Sequence, residues 1–348
     1  MKPNETIRCI GKSNKASKNF VVTGEVCHPV WALKDVGGEG EYLLNLIDES
    51  RHEKWARKID SVESMYDIGE TFKGKAEGVE LALPLHLYEN DGEFGYVTKK
   101  YSGKVLSDMM LSGDFDRMPL ETRLEIAQSI LKSVEFFREN GLSHRDVSLK
   151  NFAYDEAEKK LTVIGCENMT PNAVLEAADC CFSGESGFYA SPEVVFKLDL
   201  PSRESDMYTL ACVLYKIMTG SSESPYHGKV MYLKFNGFMP NDMFDAACLS
   251  KEDKLGRDWL TFVFDPDNTV NEILPTMFKN EDFRLRKVTV IENWEKTPTE
   301  IKELFQRAFF NPLGARARKN RPSVAEWKDA IEKQLCALRS VRKEGIVR

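Results

Sequence analysis

The hydrophobic period changes once along the 348-residue chain, and that change constrains the fold more than any single motif. Up to Tyr101 the apolar residues fall in short runs bounded by glycine and polar turns: "NFVVTGEV", "VWALKD", "EYLLNLI", "WARKI", "VELALPLHLY" and "EFGYVTKKY", the last two joined by "ENDG". Runs of this length, rich in Val, Leu, Tyr and Phe, predict β-strands. One interruption, "DSVESMYDIGETFKG", spaces Val62, Met65, Tyr66 and Phe72 as a short helix would. After Tyr101 the period becomes helical. "LETRLEIAQSILKSVEFFRENG" repeats its apolar residues at helical spacing and stops at Gly141, the usual residue just past a helix C-terminus. "SDMYTLACVLYKIMTG" is apolar on every side, so it belongs inside a large helical core. "TPTEIKELFQRAFF" and "RPSVAEWKDAIEKQLCALRSV" are amphipathic. The expectation is an α+β chain with a polar extension over residues 1–28, a small β-rich lobe over 29–100 and a large, mainly helical lobe over 101–348.

Charge and composition remove several functions. A net charge of -7 disfavours nucleic acid and anionic membrane surfaces, both of which need a basic face. The chain has neither an apolar run long enough to span a bilayer nor a signal-peptide core near its start, so a cytosolic protein is expected. Its 8 cysteines form no CxxC pair and predict reduced thiols rather than a disulfide or zinc framework.

The chemistry is concentrated in "GLSHRDVSLKNFAYDEAEKKLTVIGCENM". Phosphoryl transfer needs a base near the accepting hydroxyl and ligands for the metal that neutralises the phosphates. "HRDVSLKN" offers both on one loop, with Asp146 as the base and Asn151 as a metal ligand. The strand-like "KLTVI" should then lead to a second, acidic metal ligand. Gly165 stands there instead, followed by Cys166 and Glu167.

Together with "GGEGEY", "ESDMYTLACVLYK", "FVFDPDN" and "IKELFQRAFF" before "RPSVAEW", these residues make the chain resemble the protein kinase superfamily over about residues 30–335. The likeness is greater to a bacterial branch of kinase-like proteins associated with VWA-domain proteins and PP2C-type phosphatases. The resemblance implies a two-lobed protein-kinase-like fold that holds ATP with Mg or Mn. It assigns Gly38 and Gly40 to the phosphate-covering loop, with Leu43 where a third glycine is usual, and Lys58 to the α- and β-phosphates, with Lys34 as a rival. Val97, Lys99 and Tyr101 fall at the hinge that borders the nucleotide, and Glu70 or Glu63 is the helix partner of the lysine. Glu193 of "SPE" and Arg321 of "NRPS" form the expected buried pair, while Asp206 anchors the catalytic loop.

The departure is the tripeptide Gly165-Cys166-Glu167 in place of a magnesium-binding Asp motif, with Glu167 as the one nearby substitute. Two functions follow from the resemblance. One is a pseudokinase that acts through a protein partner, such as a PP2C-type phosphatase or a VWA-domain protein; the other is an active serine/threonine kinase with an altered metal site.

Overall fold

The computed structural model describes residues 1–10, 17–27, 29–47, 62–63, 65–66, 78–90, 92–144, 146–171, 189–199, 202–234 and 260–346. The chain divides into two compact units, Met1–Gly103 with Asn151–Pro171, and Lys104–Lys150 with Asn172–Arg348. The protein therefore has the β-rich and helical parts of a kinase-like α+β fold. Each unit is built on different physics.

The first unit contains a six-stranded antiparallel sheet. Its strands are β1 (Thr6–Cys9), β2 (Lys18–Cys27), β3 (Val30–Asp35), β4 (Glu41–Ile47), β6 (His86–Asn90) and β7 (Glu93–Lys99), in the order β1-β2-β3-β4-β7-β6. Just past β1, Ile10 and Leu87 exchange backbone hydrogen bonds of 2.7 and 3.1 Å, which joins the first strand of the sheet to the last. This single bridge draws the two ends of the sheet together into a barrel-like curl. All six strands contribute to its interior: Ile7 and Cys9, Phe20 and Val22, Leu33, Leu44, Tyr88 and Val97. Burial there pushes the Cys9 thiol up to about 12. The N-terminal segment expected to be a separate extension is thus part of the barrel wall. Side chains of opposite parity on the same strands, Ile47, Leu87, Phe94 and Tyr96, pack with Val62 in a second cluster. This unit also holds the antiparallel hairpin Phe152–Asp155 and Lys160–Val163, flanked in parallel by β5 (Glu80–Leu81).

The second unit is helical and centres on α2 (Arg203–Thr219), with α1 (Leu120–Glu139), α3 (Glu281–Lys296), α4 (Thr299–Phe309) and α5 (Val324–Ile346) packed in the same unit. Ser202 and Ser205 bond reciprocally across the start of α2, and Gly220 ends it at φ 74°. Every α2 residue from Met207 to Thr219 is buried, which accounts for the absence of a polar stripe in its sequence. Its Tyr208 and Tyr215 meet Tyr226, Phe305 and Phe309 in edge and stacked contacts, and Phe262 and Phe305 pack on Phe309. The buried Arg123 guanidinium donates to the carbonyls of Met118, Phe115 and Met218, the last at 2.7 Å, and so fixes α1 to the end of α2. Among the described residues no helix is long and apolar enough to cross a membrane.

Beyond the end of α2 a polar knot is enclosed by this core. Lys216 donates to the Ser222 and Glu223 carbonyls, the Glu223 carboxylate is bonded to Lys287 of α3, and His227 Nδ1 lies 3.6 Å from Glu223. Burial lowers the His227 pKa below 6.5, an effect that Glu223 opposes and that Lys287 and Lys216 reinforce. Burial pulls Lys216 down to about 8. Burial also works against the Glu223 charge, but Lys287 and His227 outweigh it and hold the carboxyl well below its ordinary range.

The linkage has a definite sign. A histidine whose folded pKa is depressed binds fewer protons folded than unfolded, so its contribution is present above about pH 6.5 and is lost as pH falls below it. Urea midpoints should therefore drop between about pH 6.5 and 5 in the wild type, before carboxylates titrate, and drop less in His227→Gln. Parallel pH profiles for the two proteins would contradict this.

Candidate functional site

The residues singled out in the sequence are divided between the two units. In the helical unit, α1 ends at Glu139 and Gly141 turns the chain at φ 61° into the strand Leu142–His144. The His144 ring is fully buried, 5.8 Å from Phe137. Its Nδ1 accepts the Asp146 backbone N–H at 3.2 Å, which assigns the ring proton to the other nitrogen. Asp146 is buried, and its Oδ2 lies 2.7 Å from the ammonium of Lys150. Farther along the loop the Leu149 N–H donates to the Tyr189 hydroxyl at 3.4 Å. Tyr189 is itself held by Thr209 of α2, whose hydroxyl donates to the Tyr189 carbonyl at 2.8 Å, and burial raises the Tyr189 phenol. The acid expected to be the base thus stands on a braced loop beside a cation. Asp206 lies in the first turn of α2; Arg145 lies outside the described residues.

The same unit contains the bidentate pair expected from the resemblance. Arg321 donates from both terminal nitrogens to Glu193, at 2.6 and 3.0 Å, with both side chains 2% exposed. It also donates to the Glu204 and Pro312 carbonyls and faces the Tyr208 ring at 5.0 Å.

In the barrel unit, Asn151 is buried and its carbonyl accepts the Ile164 N–H at 2.9 Å, so the hairpin places Asn151 beside the entrance to Gly165. Gly165 adopts φ 69°, a left-handed conformation that favours glycine, and opens the short helical turn Cys166–Asn168. The thiol of Cys166 is buried and lies 3.5 Å from the Val163 carbonyl; burial, then the charge of Glu167, raises its pKa. Glu167 is 9% exposed. Tyr96 of β7 meets it there. Burial raises the Tyr96 phenol well above its ordinary value, and the charge on Glu167 and a hydrogen bond to its side chain add to the shift.

Several sequence expectations look different in place. Val97 is fully buried inside the barrel with Leu33, Leu44 and Phe20, which leaves its side chain no ligand surface. The reason is strand parity: Tyr96 and Thr98 occupy the opposite face. Lys99 is exposed and Tyr101 half-buried at the end of β7. Gly38 and Gly40 lie in the hairpin joining β3 to β4. A Cβ would come within 2.9 Å of the Asp35 carboxylate at Gly38 and 2.7 Å of the Tyr42 ring at Gly40, so either side chain would have to shift. Lys34 is exposed on β3, opposite Glu41. Glu63 is half-buried, whereas Lys58 and Glu70 lie outside the described residues.

The register also reveals residues that motif matching passed over. Between the glycine hairpin and the hinge strand β7 lies β4, where Asn45 pairs with Tyr96 and Leu43 with Thr98. The strand "EYLLNLI" carries no lysine. Lys150 and Tyr189 are the other two; the sole sequence signal for Lys150 is its position four residues after Asp146.

The donor set can be tested against a divalent metal. Asn151 remains, Gly165 has no side chain to offer, and Glu167 is buried and engaged by Tyr96. Among the described residues no group of three or more His, Cys, Asp or Glu side chains could hold a metal ion. Hard cations such as magnesium want at least one carboxylate besides substrate oxygens.

Comparison with known proteins places these features in context. The protein kinase domain family matches residues 85–254, just under half of the chain, and the match begins after β4. Serine/threonine-protein kinase ppk21 of Schizosaccharomyces pombe is 31% identical over 108 residues, covering 29% of this chain and 19% of that protein. Serine/threonine-protein kinase PknB of Mycobacterium leprae is 29% identical over 196 residues, 56% of this chain and 28% of that protein. Kinase suppressor of Ras A of Caenorhabditis elegans is 25% identical over 177 residues, 46% of this chain and 23% of that protein. The aligned segments span less than a third of each relative's own length.

Proposed function

We propose, from the premise of the protein kinase superfamily that the matched domain and the relatives support, that this chain is a pseudokinase. It acts by binding a protein partner, of which a PP2C-type phosphatase or a VWA-domain protein is one choice. The observation that carries this reading is Gly165 in the place of the metal-binding acid, with Glu167, the next acid along the chain, buried. Removing one preorganised electrostatic group from a transition state commonly costs about 100- to 1,000-fold in rate.

Mechanistically, the chain's own residues still support shape. Asp146 is held by His144 and Lys150, and Tyr189 ties the loop to α2. A bound ATP would be gripped through the backbone after β7 without metal assistance, and the metal, when bound in an ordinary kinase, shields and aligns the phosphates. Asp146 thus carries a cation 2.7 Å from its carboxylate.

The test is transfer of labelled γ-phosphate to the protein itself and to a generic substrate. We expect wild type to be indistinguishable from Asp146→Asn, and ATP to raise the melting temperature equally with and without Mg²⁺ or Mn²⁺. Turnover by wild type that disappears in Asp146→Asn would establish the second reading, an active serine/threonine kinase, which the intact Asp146 loop favours.

A further inference from the structure

In the helical unit, a cavity of about 370 Å³ is lined by Leu260, Phe262, Asp265, Phe309, Phe310 and Leu313, among others. Its floor is apolar and rigid: Phe262 and Phe309 are buried, 5.1 Å apart, at the margin of the aromatic core around α2. Its rim differs. Phe310, the first residue past α4, leaves its side chain 60% exposed. Asn311 then holds φ 41°, an unusual conformation for a residue with a side chain, and its carbonyl accepts the Gly314 N–H at 2.9 Å, so the rim is a fixed turn. Among the described residues Asp265 supplies the only charged group of the lining. One of its oxygens accepts the Asp267 N–H at 3.0 Å, and among the described residues no lysine, arginine or histidine is paired with it.

We propose that this cavity receives an arginine side chain from a basic segment of a partner protein. A carboxylate and an exposed aromatic ring in a lining that also holds buried aromatic side chains complement a guanidinium on an aliphatic stem. The acid takes the N–H donors, the ring takes the cation's flat face, and the floor covers the methylenes. Lysine fits less well, because its ammonium is a strongly hydrated point charge that cannot stack. The volume lies near the lower end for ligand pockets, which suits one side chain better than a bulky cofactor. The chain's net charge of -7 favours encounter with a basic partner. None of these residues belongs to the Asp146 loop or the Gly165 turn, so the site stands whether or not the protein transfers phosphate.

The probes are N-acetylarginine amide and its neutral isostere N-acetylcitrulline amide, titrated into the full chain labelled at leucine methyl groups. The arginine compound should shift the Leu260 and Leu313 signals and bind at least about fivefold tighter than the citrulline compound. Asp265→Asn keeps an acceptor for the Asp267 N–H and should abolish that preference; Phe310→Ala, at an exposed position, should weaken arginine binding about threefold. Equal binding of the two probes to wild type, an arginine preference that survives Asp265→Asn, or no response at the two leucines would each overturn the proposal.

Discussion

Glu193→Ala should cost about 3–5 kcal/mol of stability, because it leaves the guanidinium of Arg321 buried without its counter-charge. Both side chains are 2% exposed, so solvent cannot replace the lost partner, and the two remaining acceptors of Arg321, the Glu204 and Pro312 carbonyls, carry no full charge. The damage should spread along the chain from Pro192–Val195 to the start of α2 and the turn before α5, which this one guanidinium connects. Equilibrium urea unfolding measures it. A loss of under about 1 kcal/mol would mean that the pair is solvated in a way these contacts deny. Replacing both partners by apolar residues of similar volume should recover much of the loss, since the largest part of the cost is the stranded charge and not the missing attraction.

Removing residues 1–10 should have an effect of comparable size on the barrel unit. Ile7 and Cys9 would leave the interior cluster of Phe20, Val22, Leu44 and Tyr88, and the backbone partners of β2 and of Leu87 would be lost with them. Losing one large buried aliphatic side chain alone costs about 2–5 kcal/mol. The two newly bared strand edges also invite pairing between molecules. A lower denaturation midpoint together with concentration-dependent light scattering is therefore expected. A truncated protein that stays monomeric and melts with wild type would show that the ring of strands does not depend on β1.

The helical unit was largely legible because its signals are local. The length of α1 follows from apolar spacing and Gly141, and α2 is identified by an apolar run between Ser202 and Gly220. In the barrel unit β2, β3, β4 and β7 were readable, but β1 and the joining of the two ends of the sheet were not. "TIRC" is four residues long, and the pairing of Ile10 with Leu87 joins segments remote in sequence. The same limit applies at the candidate site. "HRDVSLKN" and Gly165 stand in plain view, yet the hold of Tyr96 on Glu167 depends on two strands meeting through the fold.

By itself, the sequence determined the strands β2, β3, β4 and β7 and the helices α1, α2, α4 and α5, where Asp146 and Asn151 stand, and that Gly165 has no carboxylate to offer a metal. Those properties follow from side-chain chemistry and short-range period. Tertiary structure alone decided that Val97 faces a barrel interior, that β4 brings Asn45 opposite Tyr96, and that Glu167 is enclosed. Each of these depends on long-range registers whose partners a periodic pattern leaves open, since alternation assigns a strand two faces without saying which one the curved sheet will enclose.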